Sequence, residues 1–488
     1  MLRNTLYNLL GLGLPLVVAI VTIPVLITSL GIDRFGILTL IWAVVSYFGL
    51  FDLGMGRALT RHLAETWAQG DQEQAERLVS TGLAVMAGLG TAAGILLALG
   101  AEWSIRQLSG VSDPRETVDA VYAMSAAIPF IILTSGLRGI LEARHAFAVV
   151  NAIRLPMGVY TFVAPVVVLK YWGNDLGLIA VSLTLGRIIA CFAHVWFCRR
   201  LLPDVKHWFC IDRSLIKVLF HTGKWMTVSN LVNPLMVYLD RFVIGLTISV
   251  SAVAYYVTPY EIVTKLWIIP AALTAVLFPR FAQVSVSSGF IAEDLFRRGL
   301  IMIFIVIYPI TLGIALFSWE LLTLWLDSAF ATNSYRLLQV FAFGIFINGI
   351  AHIPFAFLQG VGRSDKTGII HVIEFPVYAV LLWGVAQTAG LVGVISAWIL
   401  RIVADALLLF YFALKEMNIS VESVVGFKLA LLVVLTSISF AVLYIADPVS
   451  RLVIWAILVA VSYLICWYVL FSSADRFALL RRLRFVDE

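Results

Sequence analysis

Charge is what this 488-residue chain has least of. Asp, Glu, Lys and Arg make up 13% of it, against roughly 25% in an ordinary soluble domain. Apolar residues fill 61% of the chain, and mean hydropathy is +0.98. A soluble fold cannot hide that much hydrocarbon, because its surface grows too fast with size. The composition therefore excludes a soluble enzyme, a disordered chain, a coiled coil and a secreted disulfide scaffold. It also speaks against an outer-membrane barrel, whose alternating strands keep hydropathy modest. Cysteine is scarce too: Cys191, Cys198, Cys210 and Cys466 form no CxxC, so neither a zinc knuckle nor a redox motif is expected. They read as small apolar side chains with inert thiols. The seven histidines show no HExxH and no close pair, so no metal site is expected. The run Gly360-Val-Gly362-Arg-Ser-Asp365-Lys366-Thr367 ends like a phosphate loop, but Asp365 stands where that loop requires glycine. No cofactor and no nucleic-acid partner are expected.

What is there in abundance is long apolar runs. The expected fold class is an all-α polytopic membrane protein of about 14 transmembrane helices. The spans fall near 8–29, 36–56, 79–100, 118–140, 152–171, 176–197, 225–247, 253–277, 299–318, 336–357, 368–387, 391–413, 424–445 and 450–472. The connection 319–334 is ambiguous, since it mixes an apolar stretch with Glu320 and Asp327. At ~20 residues per span, fourteen spans leave about 14 residues per connection, too few for a sizeable soluble domain. The run from Leu9 to Ser29 is too long for a signal-peptide core and reads as a retained first helix. Of the 34 basic residues, 24 fall on one set of alternate connections, six on the other and four inside spans. That bias is a positive-inside signal and places both termini in the cytoplasm.

A six-span unit recurs. Arg144…Arg154-Leu-Pro156…Ser182…Arg187 is echoed by Arg363…Glu374-Phe-Pro376…Ser396…Arg401. In each copy a charged residue lies two before a proline, and Ser-x4-Arg follows in the next helix. The first copy turns through a loop from Lys170 to Asp175, the second through Ala389-Gly390. An even-numbered unit repeats in parallel, with a site expected at the repeat interface. The expected domains are an N-lobe at 1–198, a basic cytoplasmic linker at 199–224, a C-lobe at 225–415, and two further spans with a basic tail at 416–488.

Three stretches carry a family likeness. They are Ser29-Leu-Gly31-Ile-Asp-Arg-Phe35-Gly36, Phe51-Asp52-Leu-Gly54-Met-Gly56-Arg57-Ala-Leu-Thr-Arg61, and Asp240-Arg241 followed by Tyr255-Tyr256. Leu277-Phe-Pro279 and Gln359-Gly-Val-Gly362-Arg363 join them. Together, over about residues 4–415, the chain resembles Wzx-type polysaccharide flippases of the MOP exporter superfamily. The resemblance implies two six-helix lobes, MATE-like, with two added C-terminal helices. It also implies transfer of an undecaprenyl-diphosphate-linked oligosaccharide, such as an O-antigen repeat unit, from the cytoplasmic to the periplasmic leaflet of the bacterial inner membrane. A polysaccharide polymerase and assembly proteins are the partners it suggests. Span one departs from the lipid II flippases, which carry arginines there; this chain has no charge between Arg3 and Asp33. The alternatives are a drug or cation exporter of the same superfamily, a lipid II flippase, or a membrane glycan polymerase. The last would need a large outer loop.

The few charges inside the bilayer are the candidate sites, since each is costly there. Arg187 lies mid-span with no acid one turn away. It either binds the carrier diphosphate, which a planar guanidinium suits, or pairs with Glu261, Glu374 or Asp405. Arg401 with Asp405, and Glu261 with Lys265, are spaced i, i+4 and read either as site residues or as self-neutralised pairs. Asp240 and Arg241 point about 100° apart and either find partners or reach water at the outer end of their span. Arg57 and Arg61 either guide an anionic head group at the cytoplasmic mouth or only obey positive-inside placement; Arg138 and Arg144 share those two readings. Glu374 and Arg154 occupy equivalent repeat positions, either as a cross-lobe gate or as solvated charges. Asp240, Glu261, Glu374, Asp405 and Arg154 are the candidates for coupling to an H+ or Na+ gradient or for gating.

Overall fold

The computed structural model describes residues 2–48, 55–202, 210–284, 289–418 and 447–470. Every regular element among them is helical, as hydrocarbon requires of a chain whose backbone groups must bond internally. The helices are α1 (Leu2–Leu30), α2 (Ile32–Phe48), α3 (Met55–Ala68), α4 (Gln72–Gln107), α5 (Pro114–Ala143), α6 (Phe147–Trp172), α7 (Leu176–Leu201) and α8 (Arg213–Thr247). They continue with α9 (Val250–Val263), α10 (Ile268–Val284), α11 (Gly289–Leu316), α12 (Ser318–Trp325), α13 (Ser328–Gly360), α14 (Ser364–Met417) and α15 (Pro448–Ile465). A 3-10 turn, Thr264–Trp267, joins α9 to α10.

Ten helical stretches among the described residues are long and apolar enough to cross a membrane. Every expected span falls on helix over its described residues, apart from the turn residue Phe317 in 299–318; the span 424–445 lies outside the described residues. The ambiguous stretch 319–334 holds α12 and the start of α13. α14 carries two spans, because Gly390 breaks it at φ 56, ψ −141. A side chain at that φ would be strained, and glycine is not. Aspartates cap the starts of α4, α5, α7, α8, α13 and α15, each accepting a backbone N–H of the first turn. At α8 the Ser214 hydroxyl and amide hold the capping Asp212 carboxyl below its usual range.

Two compact units emerge, Met1–Ala254 and Tyr255–Glu488. In the first, α4 and α5 pack closely because Gly90 and Gly94 lie one turn apart on the contact. A Cβ would come within 2.7 Å of Pro129 Cα at Gly90, and within 2.7 Å of the Ser125 carbonyl oxygen at Gly94. This is the small-xxx-small solution to packing without a hydrophobic driving force. α8 packs on α2, α3 and α4, so it belongs to the first unit by contact, whereas the repeat assigns it to the second lobe. Within the expected linker 199–224, α7 ends at Leu201 and α8 starts at Arg213. At one end of the unit, Asp33 accepts from Ser251 at 2.5 Å and Ser112 at 3.0 Å, while Arg34 pairs with Glu116 at 2.8 Å. The Gly31–Gly36 motif thus ties the start of α2 to α5 and α9.

In the second unit, Phe341 and Trp398 pack edge-on at 5.0 Å, with Tyr256 and Tyr260 against Phe341 at 5.0 and 5.2 Å. α15, which lies outside the six-span repeat, is fastened to α11 by polar groups. Pro309 has no N–H, so the Ile305 carbonyl loses its helical donor. The Tyr463 hydroxyl donates to it at 3.0 Å. Trp455 Nε1 donates to the Pro309 carbonyl at 3.0 Å, and Arg451 Nη1 to the Leu316 carbonyl at the end of α11. Arg451 also pairs with Glu320 of α12.

Candidate functional site

α6 and α7 form a hairpin around Gly173–Asp175. Tyr160 of α6 donates to the Ser182 carbonyl of α7 at 2.9 Å, and Thr184 of α7 donates to the Ala123 carbonyl of α5 at 2.8 Å. Cys198 donates to the Leu137 carbonyl at 3.4 Å. These bonds fix the rotation of α7 against both neighbours. The three helices line an open-sided cavity of about 280 Å³. Arg138 from α5, Arg154 from α6, and Arg187 and His194 from α7 all line it. Arg138 and Arg154 are exposed and Arg187 is half-buried, so charge runs from the rim inward. Arg138 lies 3.6 Å from Glu142 on its own helix. His194 is buried, with Nδ1 2.7 Å from the Ala190 carbonyl.

Arg187 makes no hydrogen bond or ion pair among the described residues. The acids offered as its partners are engaged within the second unit: Glu261 with Lys265 at 3.1 Å, Glu374 with Arg401 at 3.8 Å, and Asp405 beside His371 at 3.8 Å. A guanidinium without a counter-charge inside a membrane protein attracts an anion. Two more guanidinium groups on the same cavity deepen that attraction.

The second unit uses the equivalent positions differently. Across the Gly390 turn, Arg401 faces Glu374 and lies 5.1 Å from the Tyr378 ring centroid. Arg401 and Asp405, read either as site residues or as a self-neutralised i, i+4 pair, each have an ionisable neighbour on the other arm of the hairpin. Glu374 is no solvated end charge: its side chain is 11% exposed. His371, Glu374 and Asp405 bring one donor atom each within 4.8 Å of one another. Asp405 reaches the other two from the opposite arm of the hairpin. Arg401 already supplies a positive charge to it.

Of the remaining candidates, Glu261 and Lys265 do form their i, i+4 pair, half exposed. Asp240 and Arg241 are 2% and 4% exposed, so they do not reach water; Arg241 sits over the Tyr238 ring. Arg57 and Arg61 project from the exposed face of α3, Arg61 paired with Glu65 at 2.8 Å. None of Arg57, Arg61 and Arg241 lines the Arg187 cavity. Arg138 does, which the sequence read as guiding a head group at the cytoplasmic mouth or as positive-inside placement; so does His194, which it did not single out. The signal for His194 is spacing: it lies two turns from Arg187 on one face of α7.

Comparison with known proteins gives this geometry a lineage. The polysaccharide biosynthesis protein family matches residues 1–285. A Shigella flexneri protein named "Putative O-antigen transporter" is 29% identical over 409 residues, covering 84% of this chain and 96% of that protein. Among solved structures, the lipid II flippase MurJ in an inward closed conformation superposes with a TM-score of 0.71 at 13% identity, over 96% of this chain and 99% of that one. An inward-facing multidrug resistance MATE family transporter of the MOP superfamily gives 0.69 at 16%, over 85% and 94%. At these identities the two structures share the fold, a multi-pass transporter architecture. With well over half of its length matched, the chain belongs to the polysaccharide biosynthesis protein family and has the fold of MOP-superfamily transporters.

Proposed function

We propose that the protein is a flippase. It carries an undecaprenyl-diphosphate-linked oligosaccharide, an O-antigen or other surface polysaccharide repeat unit, from the cytoplasmic to the periplasmic leaflet of the bacterial inner membrane. The observation that carries this reading is Arg187, half-buried and without a counter-charge among the described residues, in a cavity shared with Arg138 and Arg154. Family membership and the name of the Shigella relative support a glycan cargo. A cationic cavity suits a diphosphate and repels a cationic drug, which sets the exporter alternative behind. The polyprenyl tail stays in lipid while the lobes alternate access. Both termini lie in the cytoplasm by the positive-inside bias. The His371–Glu374–Arg401–Asp405 cluster is the first candidate for coupling to an H+ or Na+ gradient.

The test is complementation of a strain lacking the gene. Arg187→Ala abolishes surface polysaccharide while the protein still inserts at wild-type level on a membrane immunoblot. Wild-type polysaccharide in that strain overturns the reading.

A further inference from the structure

We infer that His371, Glu374 and Asp405 form a site for a divalent transition metal, zinc by the chemistry of the donors, which staples the two arms of the α14 hairpin. All three residues belong to the second unit, so the site stands apart from the flippase reading and from the cavity around Arg187. A resident metal also goes beyond the gradient coupling proposed for the same cluster.

Helical spacing supplies two of the donors. His371 and Glu374 lie i, i+3 on the first arm of α14 and so share a face. Helical bundles present metals with an imidazole and a carboxylate at this same spacing. Gly390 then turns the chain back, and Asp405 comes in from the second arm. One donor atom from each residue lies within 4.8 Å of the others, and His371 Nε2 is 3.8 Å from Asp405 Oδ1. Donors at ~2.1 Å from a tetrahedral zinc stand about 3.4 Å apart. Small side-chain rotations therefore close the set, with the fourth position left to water.

The oxygens are the second observation. Asp405 is only 7% exposed, and its Oδ1 accepts no hydrogen bond among the described residues. Neither oxygen of Glu374 accepts one either. A buried carboxylate without donors is costly, and a metal ion satisfies oxygens that no hydrogen bond reaches. Arg401 does not fill that role. It stays 3.8 Å from Glu374, beyond hydrogen-bonding distance, and its guanidinium lies 5.1 Å from the Tyr378 ring centroid. The aromatic face is a seat for that charge when a metal takes the carboxylate. The donor set selects the ion. An imidazole suits zinc, whereas Mg2+ and Ca2+ take oxygen alone. His371, the most exposed of the three side chains, is the way in.

The measurement is zinc binding by purified full-length protein in detergent, stripped with chelator and titrated with ZnCl2 in a metal buffer. Wild type binds one zinc per chain, and its thermal midpoint rises, as for any ligand confined to the native state. MgCl2 and CaCl2 leave the midpoint where it was. His371→Gln and Asp405→Asn each weaken zinc at least tenfold. Arg401→Gln tightens it, because the opposing charge is gone; a merely structural cluster has no reason to respond that way. Glu102→Gln, in an exposed pair with Arg106 in the first unit, leaves affinity unchanged. Absence of saturable zinc binding in wild type overturns the proposal without recourse to any variant. So does unchanged affinity in both His371→Gln and Asp405→Asn, or a midpoint raised equally by Mg2+. Zinc affinity that falls with NaCl but not with choline chloride assigns the cluster to the coupling cation instead, and overturns the resident metal. Surface polysaccharide in the Arg187→Ala strain is independent of all these outcomes, so the two readings fail separately.

Discussion

Each unit of the molecule carries the same arginine at the same place in its repeat, Arg187 in the first and Arg401 in the second, and surrounds it in opposite ways. Across the hairpin from Arg187 the repeat places Arg154; across the hairpin from Arg401 it places Glu374. The sign at that one position separates the two environments. Glu374 lies 3.8 Å from Arg401, with both side chains nearly buried, and the adjacent Asp405 has His371 at the same distance. Among the described residues of the first unit no carboxylate stands opposite Arg187, and the space between the helices stays open as a cavity. A buried ion pair is costly to form and costlier to break. The second unit therefore has a reason to keep its hairpin shut, while the first has a cation whose desolvation only an incoming anion offsets. One repeat element thus yields a paired arginine in one copy and an arginine facing an open cavity in the other.

The comparison breaks most severely if the first unit is rewritten in the image of the second. Arg154→Glu places a carboxylate opposite Arg187. We expect export of surface polysaccharide to fall to the level of the empty vector, with thermal stability held or raised. Export at half the wild-type level or more in an Arg154→Glu strain would mean that sign at this position is not what separates the units.

The reverse experiment has a smaller expected effect. Glu374→Gln leaves Arg401 without its carboxylate and costs about 3 kcal/mol, the low end for breaking a buried pair, because this pair is long and neither Glu374 oxygen accepts a hydrogen bond. Thermal unfolding in detergent reads it as a clear fall in midpoint. An unchanged midpoint would show that the Arg401–Glu374 contact holds nothing together.

How much of this was legible beforehand follows from what is local. Hydropathy runs marked the spans, and the Ala389-Gly390 turn marked the break in α14, because both signals sit in a few consecutive residues. The intramembrane position of Arg187 was legible for the same reason. Partners were not. Helices that are apolar on most sides give no periodicity from which to read rotation. Asp405 therefore looked like the partner of Arg401, four residues along, when Glu374 and His371 arrive from the other arm of the hairpin. Arg138 was counted with the basic connections, though it turns into the cavity. Asp240 and Arg241 looked near enough to a span end to reach water, and the packing of α8 buries them.

The smallest expected effect sharpens the contrast at the level of single polar groups. Among the described residues the first unit leaves the Arg187 guanidinium unpaired; the second recruits a helix from outside the repeat to satisfy one orphan carbonyl. Tyr463→Phe keeps the ring and removes only the donor to Ile305. Exposing a lone helix carbonyl to hydrocarbon costs about 1 kcal/mol where neighbours relax. The loss is local, so the readout is hydrogen exchange rather than a melting curve. Amides of α11 around residues 305–313 should exchange several-fold faster while those of α13 keep their rate. A uniform rise across the second unit would mean that Tyr463 contributes general packing. No change at all would mean that α11 meets the demand of Pro309 without help, and that α15 is fastened there by Trp455 and Arg451 alone.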